Sequence, residues 1–384
     1  MTTIIIFLVV LAVLIFVHEL GHFLFAKMFG IRVDAFKIGF GPKIFAWTPK
    51  KKDGKKGETE YGLNLIPFGG YVKIFGETPD SESYLGVDSK RSMVHKPRWQ
   101  QVVVLAGGVL FNFLFAVILY IGLFNHGVTA TADGFPKYTQ YFSNQRIMIT
   151  DVLKDSPAAT AGLQIGDVVL AVSTSSSQLA PASMAGVGSA TTIDDIQHVV
   201  GASGGMKVYL SINHDGTFEQ VSANPVPGLV AGTYAVGIAM NDVADMRLPF
   251  FTAMYEGGHY AIQTLRDTVV GLGGFVSQIF HGTANFSEVT GPVGIAGIVG
   301  DAARLGMTYL LMITALISIN LAVINIIPFP ALDGGRILFV IIEAIIRRPI
   351  PAKFANWANL IGFGLLMILM VIITYKDIVK LFVK

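Results

Sequence analysis

Cysteine is missing from all 384 residues. Its absence excludes disulfides, thiolate metal ligation and a cysteine nucleophile together, and it leaves the redox compartment unwritten in cysteine usage. Charge is scarce as well. Asp, Glu, Lys and Arg make up 14% of the chain against roughly 25% in soluble domains, which argues against a purely water-soluble enzyme. The 28 basic and 26 acidic residues leave a formal net charge of +2, so no basic excess points to a nucleic-acid partner. What is abundant is apolar surface: 52% of the residues are hydrophobic and the mean hydropathy is +0.59.

A helix crossing about 30 Å of hydrocarbon at about 1.5 Å per residue needs roughly 20 mostly apolar residues. Four runs of that size occur, at about residues 4–29, 102–124, 307–327 and 357–375. The first has no basic residue in its Met1-Thr2-Thr3 lead-in and no small-residue cleavage site behind it, so it reads as a span and not as a cleaved signal peptide. Residues 27–98 hold 14 Lys and Arg against 8 Asp and Glu, whereas residues 125–307 hold 7 against 14. Lys and Arg near span ends mark the cytoplasmic side, which places 27–98 inside, 125–307 outside and 336–353 inside again, with both termini extracytoplasmic. Lys376, Lys380 and Lys384, at the end of the last run, sit against that scheme.

Inside the first run lies His18-Glu19-Leu20-Gly21-His22. Spacing of i, i+4 puts both imidazoles on one helical face, one turn apart, as two ligands of one zinc must be. Glu19, beside them, is suited to accept a proton from a water whose pKa the cation lowers to near 7. A Glu and two His in a bilayer span cost several kcal/mol unless they are paired or metal-bound; histidines merely satisfied in a helix bundle are the alternative.

A zinc hydrolase keeps three protein ligands and an open fourth position. His95, His126, His198, His214, His259 and His281 all fall in polar segments and read as surface or core histidines. Asp333 is the candidate third ligand. It lies in Asn325-Ile-Ile-Pro328-Phe-Pro330-Ala-Leu-Asp333-Gly334-Gly335, directly after the third run, where two prolines break the helix and free carbonyls that lipid cannot satisfy. Such backbone is tolerated only inside protein or beside a wet cavity. Capping of a helix that starts near Gly335 is the alternative role, compatible with ligation if each carboxylate oxygen does one job. With the first run entering from outside near Ile4, His18 lies roughly 21 Å down, and Pro328 lies about 30 Å along the third run, so the two motifs can meet toward the cytoplasmic face.

These residues resemble the site-2 protease family of intramembrane zinc metalloproteases, of the bacterial RseP/RasP type. The match takes in His18 to His22, Phe68-Gly69-Gly70-Tyr71-Val72-Lys73, Gly108 and Asn112 in the second run, Gly291-Pro292-Val293-Gly294 and residues 325–335. The resemblance implies that His18, His22 and Asp333 hold zinc and that Glu19 activates water. It further implies that single-pass membrane proteins are cut within their spans, during regulated signalling through anti-sigma factors or in clearance of remnant signal peptides. The expected setting is the bacterial cytoplasmic (inner) membrane, with the active site in the cytoplasmic half. Asn325, Pro328 and Pro330 match family positions lining the substrate path, with Asn112 as a further candidate; Gly108 reads equally as close helix packing.

Tyr61 to Phe75 is apolar, β-prone and interrupted by glycine, which suggests a hairpin dipping toward the site. A transmembrane helix hides its amides in i to i−4 bonds, so cleavage needs local unwinding, and an edge strand carrying Gly70 and Tyr71 could hold the extended form; an ordinary interfacial hairpin is the alternative.

Residues 146–224 read as a small β-rich domain resembling a PDZ domain: strand 147–153, a helix start at Ser156-Pro157, strand 166–172, a helix opening at Thr192-Ile-Asp-Asp195, and closing strands around His214-Asp215-Gly216. The family pattern is departed from at Ser173 to Ala190, a polar low-complexity insertion that puts peptide binding in question and leaves a size filter or a mobile cap as alternatives. Leu248 to Phe280 reads as an amphipathic helix lying on the membrane surface, either gating substrate or merely connecting, with Gly271, Gly273 and Gly274 as breaks. Asn285-Phe286-Ser287 has the form of a glycosylation acceptor, discounted in a bacterial setting.

The expected fold class is thus a polytopic α-helical membrane protein of about four transmembrane helices with a membrane-associated β-hairpin and one inserted α+β PDZ-like domain. Its expected segments are 1–124 (membrane region with the first two spans), 125–145 (linker), 146–240 (PDZ-like domain and following strand), 241–306 (helical connector) and 307–384 (second membrane region). The expected partners are single-pass transmembrane substrates, the lipid bilayer and a peptide ligand of the PDZ-like domain, with no nucleic acid. Two rival functions remain at this stage: a membrane-anchored zinc protease acting on cytosolic loops, and a non-catalytic PDZ membrane scaffold. Burial of residues 18–22 in the first apolar run argues against the first, and cysteine-scanning accessibility of those residues tests it.

Overall fold

The computed structural model describes residues 2–50, 57–77, 81–131, 134–175, 192–214, 216–230, 232–286 and 289–382. Most of the 173–190 insertion, Lys51, Lys52, Lys55 and Lys56, Asp215 and Ser287 of the Asn285 triplet lie outside the described residues. In chain order, α1 (Thr2–Met28) leads to strands β1 (Val33–Trp47) and β2 (Glu60–Ile74), the short α2 (Ser81–Leu85) and α3 (Arg98–His126). Then follow β3 (Val128–Thr131), β4 (Phe142–Val152), α4 (Pro157–Thr160), β5 (Val168–Ser173), α5 (Ile193–Ala202), β6 (Val208–His214), β7 (Thr217–Ala223), β8 (Val226–Val230), β9 (Thr233–Ala235) and β10 (Ile238–Met246). The chain closes with α6 (Phe250–Phe280), α7 (Pro292–Arg304), α8 (Met307–Ile326), α9 (Asp333–Ile346) and α10 (Ala352–Phe382). It divides into two units, one of residues 1–123 with 250–384 and one of 124–249.

Among the described residues, the first unit contains four helices long and apolar enough to cross a membrane, α1, α3, α8 and α10, at the positions of the four apolar runs. Helices α1 and α3 meet backbone to backbone. A Cβ on Gly21 would lie 2.1 Å from the Gly107 carbonyl oxygen, and one on Gly107 2.7 Å from that of Gly21, so only glycine admits this crossing. Fully buried Leu14 of α1 packs with Val299 of α7 and half-buried Ile313 of α8, and fully buried Ala26 joins Val104 of α3 and Val340 of α9. The turn between α8 and α9 is equally close. Cβ atoms on Gly334 and Gly335 would fall 2.2 Å from the carbonyl oxygens of Ile326 and Phe329, so two glycines let the first turn of α9 nest against the end of α8.

Strand β2 covers the glycine-rich segment expected as a hairpin arm, and its antiparallel partner is β1, with repeated register shifts. That partner was hidden in the sequence because Lys37, Gly39, Gly41, Pro42 and Lys43 interrupt its alternation. Buried Lys37 donates to Glu60 Oε1 at 2.6 Å and Lys43 lies 2.6 Å from the same oxygen. The two ammonium groups hold the Glu60 carboxyl down at about 2.

The second unit is a six-stranded antiparallel sheet of order β3-β10-β4-β5-β6-β7, a separate hairpin β8-β9, and helices α4 and α5. Its core is Ile149, Val169, Ile196, Val208, Leu210 and Ile212 among others. Ser156 caps α4, accepting from Ala159 N–H at 3.1 Å, and Thr192 and Asp195 form a reciprocal capping box at the start of α5. The stretch read as a 125–145 linker instead holds β3 and the first residues of β4; a four-residue strand is too short for its alternation to show. Residues 241–246, read as connector, complete β10. The three glycines at 271, 273 and 274 do not interrupt α6, since each costs a helix only about 1 kcal/mol.

Replacing Gly21 by Val should force α1 and α3 apart at the Gly107 carbonyl and lower the thermal midpoint of the purified protein, read by loss of the monodisperse peak in size-exclusion chromatography after heating. A midpoint equal to wild type would contradict the backbone contact.

Candidate metal centre

Helix α1 presents His18 and His22 on one face, and the close α1–α3 crossing closes over them. A Cβ on Gly108 of α3 would lie 2.5 Å from both His18 Cε1 and His22 Nε2. Asp333, the first residue of α9, reaches the same point. Its Oδ2 lies 3.1 Å from His18 Nε2 and 3.3 Å from His22 Nε2, and the two Nε2 atoms are 3.3 Å apart. The N-cap position of α9 belongs to Leu332 and no side-chain cap bond is made there, so helix capping is not what Asp333 does.

The ring orientations follow from their other nitrogens. His22 Nδ1–H donates to the Val104 carbonyl of α3 at 2.8 Å, which leaves a lone pair on Nε2. His18 Nδ1 lies 3.3 Å from the side-chain amide of fully buried Asn112. Asn112 is in turn fixed by Ser318 of α8, whose hydroxyl donates to the Asn112 carbonyl at 2.8 Å. Buried Asp333 Oδ2 accepts no hydrogen bond. Two imidazole nitrogens and a carboxylate oxygen this close in apolar surroundings call for a proton or a metal cation among them. Nitrogen and oxygen ligands about 2.0–2.1 Å from a tetrahedral zinc are about 3.3–3.4 Å from each other, close to the separations present here. The donor set therefore fits zinc, and His18, His22 and Asp333 are the one such group of three His, Asp or Glu found among the described residues.

Glu19 is half-buried beside the two histidines and accepts a hydrogen bond from the Val72 backbone N–H at 2.9 Å. The hairpin thus touches the site through β2. A Cβ on Gly70 would meet Ile15 of α1 at 3.0 Å.

Comparison with known sequences places this arrangement. The profile described as Peptidase family M50 matches residues 6–369. A candidate zinc metalloprotease of Clostridium perfringens is 35% identical over 97% of both chains. The zinc metalloprotease RasP of Geobacillus kaustophilus is 27% identical over 99% of this chain and 98% of its own, and that of Oceanobacillus iheyensis is 27% identical over the full length of both. The chain belongs to peptidase family M50, the site-2 protease family. It is accordingly a zinc metalloprotease and a multi-pass membrane protein, which removes the scaffold alternative.

Within this M50 chain the remaining sequence candidates fall into two groups. Asn112 touches His18, and Gly70 and Tyr71 lie on β2 next to Val72, with the Tyr71 ring stacked on Phe40 of β1 at 6.2 Å between centroids. Asn325 is half-buried near the end of α8, Pro328 is exposed and Pro330 half-buried in the α8–α9 turn, which leads directly to Asp333. Three features had no signal in the sequence: the Val72 N–H, the Val104 carbonyl, and Ala331, a non-glycine residue held at φ +78° two residues before Asp333. Ala331 N–H donates to Asn359 of α10 at 3.2 Å, and a Cβ on Gly362 of α10 would lie 2.4 Å from the Pro330 carbonyl, so α10 backs the strained turn.

Gly108→Val should displace both imidazoles. The expected result is zinc well below that of wild type by elemental analysis of the purified, folded variant; wild-type zinc content would show that α3 does not press on the pair.

Proposed function

We propose that this metalloprotease hydrolyses peptide bonds within transmembrane segments of single-pass membrane proteins. The observation that carries the reading is the convergence of His18, Glu19, His22 and Asp333, drawn from α1 and the α8–α9 turn, within apolar helices that cross a membrane. His18, His22 and Asp333 would hold the zinc, which when bound polarises a carbonyl and acidifies water. Glu19 takes the proton from that water and delivers it to the leaving amine. The Val72 N–H keeps its carboxylate turned toward the site, and the Asn112 side-chain amide, its Nδ2 3.3 Å from His18 Nδ1, holds that ring so that Nε2 faces the centre. Asn112 is thereby engaged with a ligand and is better read as an orienting residue than as part of the substrate path.

A substrate helix offers no free amides until it unwinds. Strand β2, with Gly70 and Tyr71 adjacent to Val72, supports the reading that an extended segment is held there by strand addition, while Asn325, Pro328 and Pro330 line its path to the site. The excess of Lys and Arg over residues 27–98 supports the reading that this hairpin and the active site face the cytoplasmic side of a bacterial inner membrane and that residues 125–307 lie outside. That second unit we read as PDZ-like, with a groove of about 640 Å³ between α5 and β10, lined by Ile196, Val200, Tyr234, Gly237 and Ile238, for a peptide ligand. Anti-sigma factors and remnant signal peptides are the substrate classes that the family resemblance supports.

Glu19→Gln should abolish cleavage of a single-pass substrate reconstituted in the same membrane, by at least about 100-fold, while zinc content stays at the wild-type value. Cleavage of a water-soluble loop in preference to the span would favour the cytosolic-loop alternative, and undiminished turnover in the variant would overturn the role of Glu19.

A further inference from the structure

Helix α9 carries only two charged side chains after Asp333, Arg336 and Glu343. Seven residues apart, they lie two turns along one face. Each has a partner of opposite sign from a different segment. Arg336 pairs with Glu77, three residues beyond β2, and Arg98, the first residue of α3, lies 2.6 Å from Glu343 Oε2. Three of these four side chains are less than a third exposed and Arg98 is at 38%. Glu343 also accepts the Ile350 N–H at 2.9 Å, and all four line one cavity of about 220 Å³.

The partners sit on the two elements that grip the histidine half of the site. Strand β2 holds Glu19 through Val72, and α3 holds His22 through Val104 and touches His18 through Gly108 and Asn112. Close backbone contacts at Gly334 and Gly335 seat the first turn of α9, while the apolar contacts of Val340 and Ile337 further along are non-directional. The two ion pairs add the directional restraint there. A cation at 336 facing an anion at 77, and an anion at 343 facing a cation at 98, form a pattern of opposed polarity that any slip by one turn separates, leaving partly buried charges unpaired.

We infer that the Glu77–Arg336 and Arg98–Glu343 pairs act as a register lock that sets the reach of Asp333 Oδ2 toward His18 and His22; the four are positioning residues. The lock rests on the reading that these three residues hold zinc. A structural contribution alone would change the thermal midpoint and leave metal affinity as it was, so the informative readout is zinc affinity.

The test uses the full-length protein in detergent, with zinc affinity measured by competition against a chelator of known affinity. Glu77→Arg and Arg336→Glu should each weaken zinc binding roughly 10-fold or more, and the double exchange should recover to within roughly threefold of wild type, the scale on which outer-shell partners act. The Arg98→Glu and Glu343→Arg exchange should behave alike. If the reversed single variants do not purify folded, Glu77→Gln and Arg98→Gln carry the same test: weaker zinc binding by folded protein supports the lock. Unchanged affinity in the folded single variants, or a double exchange no tighter than its parents, overturns the lock while wild-type zinc binding stands. Failure of wild type itself to bind zinc overturns the zinc reading and the lock with it.

Discussion

Three acceptor atoms, His18 Nε2, His22 Nε2 and Asp333 Oδ2, stand within 3.3 Å of one another in a layer of apolar helices. The rest of the first unit is organised around keeping that arrangement in place. In water such a group would spread apart and hydrate; between membrane-crossing helices it cannot, and a bound zinc ion satisfies all three at once. Five close approaches at glycine serve this point. Glycine at 21, 107 and 108 lets α3 lie on the histidine helix, and glycine at 334 and 335 lets α9 start immediately after the α8 turn.

From that constraint the chemistry follows in order. The Val104 carbonyl, accepting from His22 Nδ1–H, turns Nε2 of that ring to the centre, and the Asn112 amide packs against Nδ1 of His18 on its far side. The Val72 N–H orients Glu19. A backbone donor from an irregular hairpin is well suited to this task, because under the proposed function the same strand holds both the glutamate and the unwound substrate. The strained turn at Ala331 shows a cost accepted to bring a carboxylate from a second helix to the first.

Much of this was legible in the chain itself. The His18–His22 spacing and its burial in an apolar run pointed to two candidate ligands and a candidate base, and the proline pair at 328 and 330 before Asp333-Gly334-Gly335 marked a helix break that no lipid-facing segment tolerates. The four spans were visible as hydropathy, which is local. What escaped was long-range. Strand β1 hides its partnership with β2 behind lysines and glycines, β3 is four residues long, and Gly271, Gly273 and Gly274 of α6 signal a break that helix hydrogen bonding outweighs. The ion pairs of Arg336 and Glu343 join residues 259 and 245 positions apart in the chain, and no periodicity announces such a meeting. Asn112 was legible as special but not as to purpose, since its partner His18 lies on another helix.

The most direct measurement of the central claim is zinc per chain in the detergent-purified protein by elemental analysis, for wild type, His22→Ala and Asp333→Ala. The account predicts close to one zinc per chain in wild type and its loss in both variants, because ligands from α1 and from the start of α9 form one site. Full zinc content in folded Asp333→Ala, or none in folded wild type, would contradict it.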